Sequence, residues 1–306
     1  MSQIAWLFPG QGSQAVGMGA DAADHPVMAQ TLAEADEIVG FALSALMQHG
    51  PKEALDATIN TQPALYAHSV ALFRAARAEN ALPDPAFVAG HSLGEYSALT
   101  AAGALPFAAG LRLVRERGRL MEKAGRIAPG GMAAILSLSD AQVVDLCKAA
   151  STPEATVQVA NYNCPGQIVI SGAQDAVERA MALASEAGAR RGVPLDVSIA
   201  AHSPLMRVVE EEFATCVADA PLTVPAFPVI GNVSGGPLDS VDEIRQELVA
   251  QLTGSVQWTA TIERMIDAGV DTFYEIGAGA VLTGLVKRIN RQTTRYNLSG
   301  VDALTP

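Results

Sequence analysis

The sequence predicts an α/β protein in two parts: a parallel-sheet core assembled from both ends of the chain, and a smaller unit inserted between them. Three observations predict it. Residues 86–102 read as strand, sharp turn and helix, with glycines around the turn. Residues 106–125 form a helical pattern with no interior proline and one apolar side. Residues 131–198 then run strand, helix, strand, strand, helix, strand, which is the βαββαβ order of a ferredoxin-like unit.

The elements follow in chain order. Residues 4–8 (Ile-Ala-Trp-Leu-Phe) read as a buried strand, and Pro9-Gly10-Gln11-Gly12-Ser13-Gln14 follows it. A phosphate loop would need Gly-Lys-Ser/Thr there, yet the first lysine in the chain is Lys52, and the glycine spacing misses the dinucleotide fingerprint. A glycine-rich loop after a core strand can instead offer a backbone N–H to an oxyanion, the role assigned to Gln11. Residues 62–74 read as a helix holding His68 in a structural place.

The most informative segment is Gly90-His91-Ser92-Leu93-Gly94, between the apolar residues 86–89 and the apolar helical stretch 96–102. Strand, sharp turn, serine at the apex and helix is the context of a nucleophile elbow. Glycines two before and two after the serine let strand and helix backbones approach where side chains would clash. The competing reading is an ordinary turn whose serine only caps the helix.

A nucleophilic serine needs a base, and the chain has five histidines. His25 precedes a proline and His49 a glycine, so both read as loop residues. His91 adjoins Ser92, and neighbouring residues leaving a strand point to opposite sides. Only His202 follows the serine; it comes after the apolar run 197–201 and reads as a strand exit facing a cleft.

Arg117 is the third unusual residue. At about 100° per residue, Leu113, Val114, Gly118, Leu120 and Met121 share one side of the 106–125 helix, and Arg117 falls among them. A guanidinium keeps its charge and is costly to bury alone. Either an internal acid pairs with it, or a substrate carboxylate arrives to be held in bidentate fashion.

In the middle of the chain the expected elements are strand 131–138, helix 140–150, strands 156–161 and 167–171, helix 174–187 and strand 190–198. The fold class is therefore an α/β hydrolase-like core with a parallel sheet plus an inserted small ferredoxin-like subdomain. The core domain takes residues 1–127 and 198–306, and the subdomain residues 128–197, with the site in the cleft between them.

Composition narrows the classes further. Across 306 residues the net charge is −12 and hydrophobic residues make up 49%. The acidic whole disfavours nucleic acid. The longest apolar run, 98–111, is broken by Gly103, Pro106 and Gly110 and reads as a buried helix pair with no membrane span. The N-terminus has no basic region before its apolar residues, so a cytoplasmic location is expected. Three scattered cysteines (Cys147, Cys164, Cys216) point to a reducing compartment and no metal site.

Taken in order, these motifs resemble the malonyl-CoA:acyl carrier protein transacylases and the related acyltransferase domains of fatty acid and polyketide synthases. The resemblance covers nearly the whole chain: FPGQGSQ (8–14), TQPAL (61–65), GHSLGEYSAL (90–99), RERGRLM (115–121), GGMAAIL (130–136), NYNCPGQIVISG (161–172), HSPLM (202–206), VQWT (256–259) and YEIGAG with VLTGLVKRI (274–289). It implies Ser92 as the acylated nucleophile and His202 as its general base. It also implies Gln11 and Leu93 as oxyanion-hole amides, Arg117 as the malonate carboxylate clamp, and the Gln251 main-chain carbonyl as the group orienting the histidine. Asp196 stays open as a conventional third member. Ala200-Ala201 before His202 departs from the bulkier residue of many malonyl-selective relatives and leaves room for a somewhat larger acyl group. Gly277-Ala278-Gly279 stands where Gly-Pro-Gly is common.

The implied function is malonyl transfer from malonyl-CoA, a substrate, to the phosphopantetheine thiol of acyl carrier protein in fatty acid biosynthesis, with no cofactor. The alternatives are a discrete acyltransferase of a polyketide synthase or malonate decarboxylase, a serine thioesterase or other hydrolase, and a non-catalytic docking subunit. Carrier protein in this family is acidic, so the basic clusters at 112–126 (Arg117 excluded), 190–191 and 287–295 are candidates for a docking rim around an acidic molecule.

Overall fold

The computed structural model describes residues 3–197 and 199–304. The first strand, β1 (Gln3–Phe8), forms where expected, and its last four residues are buried. Trp6, fully buried, meets Phe73 and Phe227 at ring-centroid distances of 5.3 and 5.4 Å. Such aromatic contacts add about 0.5–1.5 kcal/mol each beyond burial of area. Helices α1 (Pro26–Val39), α2 (Leu43–His49), α3 (Lys52–Asp56) and α4 (Thr58–Ala78) follow. His49 thus closes a helix instead of lying in a loop. Helix α4 starts four residues before the expected Gln62 and keeps Pro63 inside it.

Strand β2 (Phe87–Gly90), helix α5 (Gly94–Ala101) and helix α6 (Phe107–Ile127) come next. Beyond them lie β3 (Gly130–Leu136), α7 (Asp140–Ala150), β4 (Val157–Cys164), β5 (Gln167–Ala173), α8 (Gln174–Glu186) and β6 (Arg191–Pro194). The last third holds α9 (Glu210–Ala218), β7 (Val229–Ile230), α10 (Val241–Ala250), α11 (Trp258–Asp267), β8 (Val270–Ile276), α12 (Val281–Ile289) and β9 (Thr294–Leu298).

Two sheets result. Strands β7-β2-β1-β8-β9 form a five-stranded sheet in which every pairing is parallel. Apolar cores lie on both of its faces, one around Trp6, Phe8 and Val88 and the other around Ala5, Leu7 and Ala89. This two-sided burial explains why β1 reads as an unbroken apolar run. Strands β4-β5-β3-β6 form a separate antiparallel sheet backed by α7 and α8, in the order a ferredoxin-like unit requires. The expected α/β class with a parallel sheet and a second, antiparallel one is what forms.

Strand β6 ends at Pro194, short of the expected 198; Ser198 itself lies outside the described residues. Residues 199–201 are buried without being a strand, so their apolar character reflects packing of a loop. His202 consequently sits in a turn, at φ 58°, and not at a strand exit. Among the described residues, no helix is long and apolar enough to cross a membrane.

Candidate active site

The turn between β2 and α5 owes its shape to missing side chains. A Cβ on Gly90 would lie 1.9 Å from the Gly94 backbone, and one on Gly94 would lie 2.0 Å from Phe8 O. No L side chain fits such gaps, so both positions require glycine. Ser92 between them adopts φ 51°, in the left-handed region that costs a non-glycine residue of order 1–3 kcal/mol. Asn232, just after β7, offsets that cost. Its Oδ1 accepts the Ser92 N–H at 2.7 Å, and its Nδ2 donates to Gly90 O at 2.8 Å.

The hydroxyl so presented lies 2.8 Å from His202 Nε2, across 110 positions of sequence. His202 Nδ1 lies 2.7 Å from Gln251 O. A carbonyl only accepts, so Nδ1 carries the proton and Nε2 is left as the acceptor for the serine proton. Asp196 is exposed, and the contact a third carboxylate would make is taken by Gln251 O. Burial, reinforced by the charge of Arg117, pulls His202 down to about 3. His91 turns elsewhere, with Nε2 2.8 Å from Asn163 Oδ1 and its ring edge on Trp258.

Arg117 is 1% exposed. One terminal nitrogen donates to Gln62 Oε1 at 2.9 Å, and the other to Gln251 Oε1 at 2.7 Å and Ser92 Oγ at 3.3 Å. Every one of these acceptors is neutral. Among the described residues no carboxylate forms an ion pair with it, and its Nε has no partner. The internal acid that could have explained the buried cation is therefore absent from its contacts. Glu95 stands one residue further off, accepting from Gln251 Nε2 and from the Asn232 N–H. Burial, with Glu247 adding to it, pushes Glu95 well above the usual carboxylate range.

Two backbone donors, one on the cleft wall and one next to Ser92 in the sequence, are unpaired among the described residues. Among the described residues the Gln11 and Leu93 N–H groups meet no acceptor, whereas those of Ser92, Gly94 and Ser13 are all bonded. Gln11, Ser92, Arg117 and His202 line one cleft of 380 Å³, closed by Met132 and Ala134 of β3, Asn161 and Asn163 of β4, and Leu285 of α12. Of the expected site residues, Gln11, Ser92, Arg117 and His202 thus meet at one place, Gln251 joins them through its carbonyl and side chain, and Leu93 adjoins Ser92 in the chain. Asn232, Gln62 and Glu95 are additions. Gln62 and Glu95 lie inside TQPAL and GHSLGEYSAL, so a charged or amide residue in an otherwise apolar segment was their available signal. Asn232 follows a two-residue strand and offered none. Among the described residues no group of three or more His, Cys, Asp or Glu gathers as metal ligands.

A serine on a strand-to-helix turn, a neutral imidazole beside it and two open amides can form and break an acyl ester. The comparisons agree with that class: the acyl transferase domain family matches residues 5–301, and the chain belongs to it. It is 47% identical over 305 residues to the malonyl CoA-acyl carrier protein transacylase of Escherichia coli (strain K12), covering 99% of this chain and 98% of that one. The solved malonyl CoA-acyl carrier protein transacylase of Coxiella burnetii superposes with a TM-score of 0.96 at 39% identity, covering 99% and 96% of the two chains. A malonyl-transacylase solved in complex with its type II PKS acyl-carrier protein superposes at 0.95 and 43% identity, covering 99% and 98%.

Proposed function

We propose that this chain transfers malonyl from malonyl-CoA to the phosphopantetheine thiol of acyl carrier protein, in fatty acid biosynthesis, through a malonyl-serine ester. The observation that carries this reading is the uncompensated Arg117 guanidinium 3.3 Å from the hydroxyl of a serine–histidine pair. A substrate with a carboxylate beside its thioester meets both groups at once.

In the first step Ser92 Oγ attacks the thioester carbonyl while His202 Nε2 takes the hydroxyl proton. The Gln11 and Leu93 amides hold the oxyanion, each such donor being worth about 3 kcal/mol in comparable sites. The tetrahedral species collapses, His202 returns the proton to the CoA thiolate, and the ester remains. The carrier thiol then gives its proton to His202 and attacks the ester, and Ser92 recovers its hydrogen as the product thioester leaves. Gln251 O holds the imidazole tautomer throughout. Arg117 binds the malonate carboxylate in both steps.

The division into a catalytic domain (1–127 and 198–306) and an inserted ferredoxin-like subdomain (128–197) is part of the same reading, with the cleft between the two sheets as its support. A docking rim is best supported at exposed Arg190, Arg191, Lys287 and Arg288, the last bonded to Gln167 on the cleft wall. Arg119 and Lys123 are poorer candidates, being paired with Glu212. Three free thiols, two of them buried, fit a reducing cytoplasmic setting. The likeness to a transacylase solved with a type II PKS carrier favours, as a second reading, a carrier from such a pathway. The test is incubation with malonyl-CoA, peptide mapping, and chase with either kind of carrier. One malonyl group on the Ser92 peptide, discharged by the carrier, is expected; labelling elsewhere or discharge to water alone overturns the reading.

A further inference from the structure

Arg117 is held by two glutamine side chains, and both present the same end to it. Gln62 gives its Oε1 to the guanidinium while its Nε2 turns to Met121 Sδ at 3.2 Å. Gln251 gives its Oε1 while its Nε2 donates to Ser92 O at 3.1 Å and to Glu95. Ser92 O only accepts and Arg117 only donates, so the orientation of the Gln251 amide is fixed by chemistry. Glu95 is itself immobilised, fully buried and accepting the Asn232 N–H at 3.3 Å with its other oxygen.

We propose that the Gln251 side chain, separately from its main-chain carbonyl, sets acyl selectivity, and that Glu95 is its positioning residue. The amide supplies an oxygen strong enough to anchor the guanidinium and too weakly charged to neutralise it. A carboxylate at that position would pair with the cation permanently and compete with the substrate. Glu95 keeps its carboxyl group one side chain away from the guanidinium and turns the NH2 end of Gln251 toward it. This inference rests on Arg117 receiving the malonyl carboxylate.

The test exchanges the two groups. In the double variant Glu95→Gln, Gln251→Glu, the amide now at position 95 can donate to the carboxylate now at position 251. The count of carboxyl groups and the main donor–acceptor pair survive, while the carboxyl moves into direct contact with Arg117. The readout is the ratio of kcat/KM for malonyl-CoA to that for acetyl-CoA, because damage to the shared serine–histidine machinery lowers both together. The ratio should fall at least tenfold, chiefly through KM for malonyl-CoA, with a cooperative melt retained. Should that protein not fold, Glu95→Gln alone sets its NH2 against either the Gln251 NH2 or the Asn232 N–H and should lower the ratio at least threefold. A ratio within twofold of the parent in a folded variant overturns the proposal. Arg117→Ala, run alongside, separates the cases: if it leaves the ratio unchanged, the carboxylate reading itself fails; if it abolishes the preference while the exchange does not, only the role of Gln251 and Glu95 falls.

Discussion

The two sheets bury their residues differently, and the difference divides labour in the cleft. The parallel sheet is covered on both faces, and the proposed nucleophile and oxyanion donors stand on segments leaving its strands: Gln11 after β1, Ser92 and Leu93 after β2. In the antiparallel sheet, β3 buries only alternate residues. On β3, Ala133 and Ile135 enter its own core while Met132 and Ala134 face the cleft. One sheet fixes reacting atoms; the other supplies wall. A two-sided core resists displacement of its strand ends, which suits parts that must be held within fractions of an ångström.

Substitutions can break or sharpen this contrast. Ser92→Ala should have the largest effect, lowering malonyl transfer by roughly 10⁴-fold or more and abolishing acyl-enzyme in a mass measurement. Next, Arg117→Ala should cost malonyl-CoA about 30- to 1,000-fold in kcat/KM, as for a truncated buried charge partner, while acetyl-CoA loses far less. Asn232→Ala frees the strained serine and should lower kcat about tenfold for every acyl group alike, measured as the rate of acyl-enzyme formation. Met132→Ala, on the wall sheet, should change kcat/KM by only a few fold and differently for acyl groups of different size. If it matched the effect of Asn232→Ala across all acyl groups, the division between the sheets would be wrong.

The pH dependence has a definite sign. In the proposed mechanism His202 acts as a base in its neutral form, and its value is lowered to about 3, so it stays unprotonated as pH falls through 6.5. The acid limb of kcat/KM should accordingly lie well below the 6.5 of an ordinary imidazole. Buried His68, lowered to about 4, also folds neutral. The unfolded chain takes up protons near 6.5 that the folded chain refuses, so stability declines from pH 6.5 toward 4, checked by denaturant melts across that range.

Much of this was legible where the signal was local. The elbow reads from sequence because a strand, two obligatory glycines and a helix fall within about fifteen residues. The ferredoxin-like rhythm reads because each element carries its own period. Arg117 stood out as a charge on an apolar face. Three kinds of feature stayed hidden. Strand β7 is two residues long and has no period to detect. The apolar run before His202 imitates a strand because a packed loop and a strand bury the same side chains. The contacts of Asn232 and Gln251 with the elbow join residues 140 and 159 positions apart, a distance over which one sequence carries no pairing information.

The pairing of β1 with β2 has one more effect. Phe8 lies beside Gly90 in register, and the His91 N–H donates to Phe8 O at 3.0 Å. Gln11 and Leu93 are each three residues beyond that pair, so the register of this ladder sets how far each of the two proposed oxyanion donors reaches past the sheet. Slippage by a single rung would carry one amide out of range of the other's oxygen. Turnover is therefore a sensitive gauge of strand alignment in the middle of the molecule.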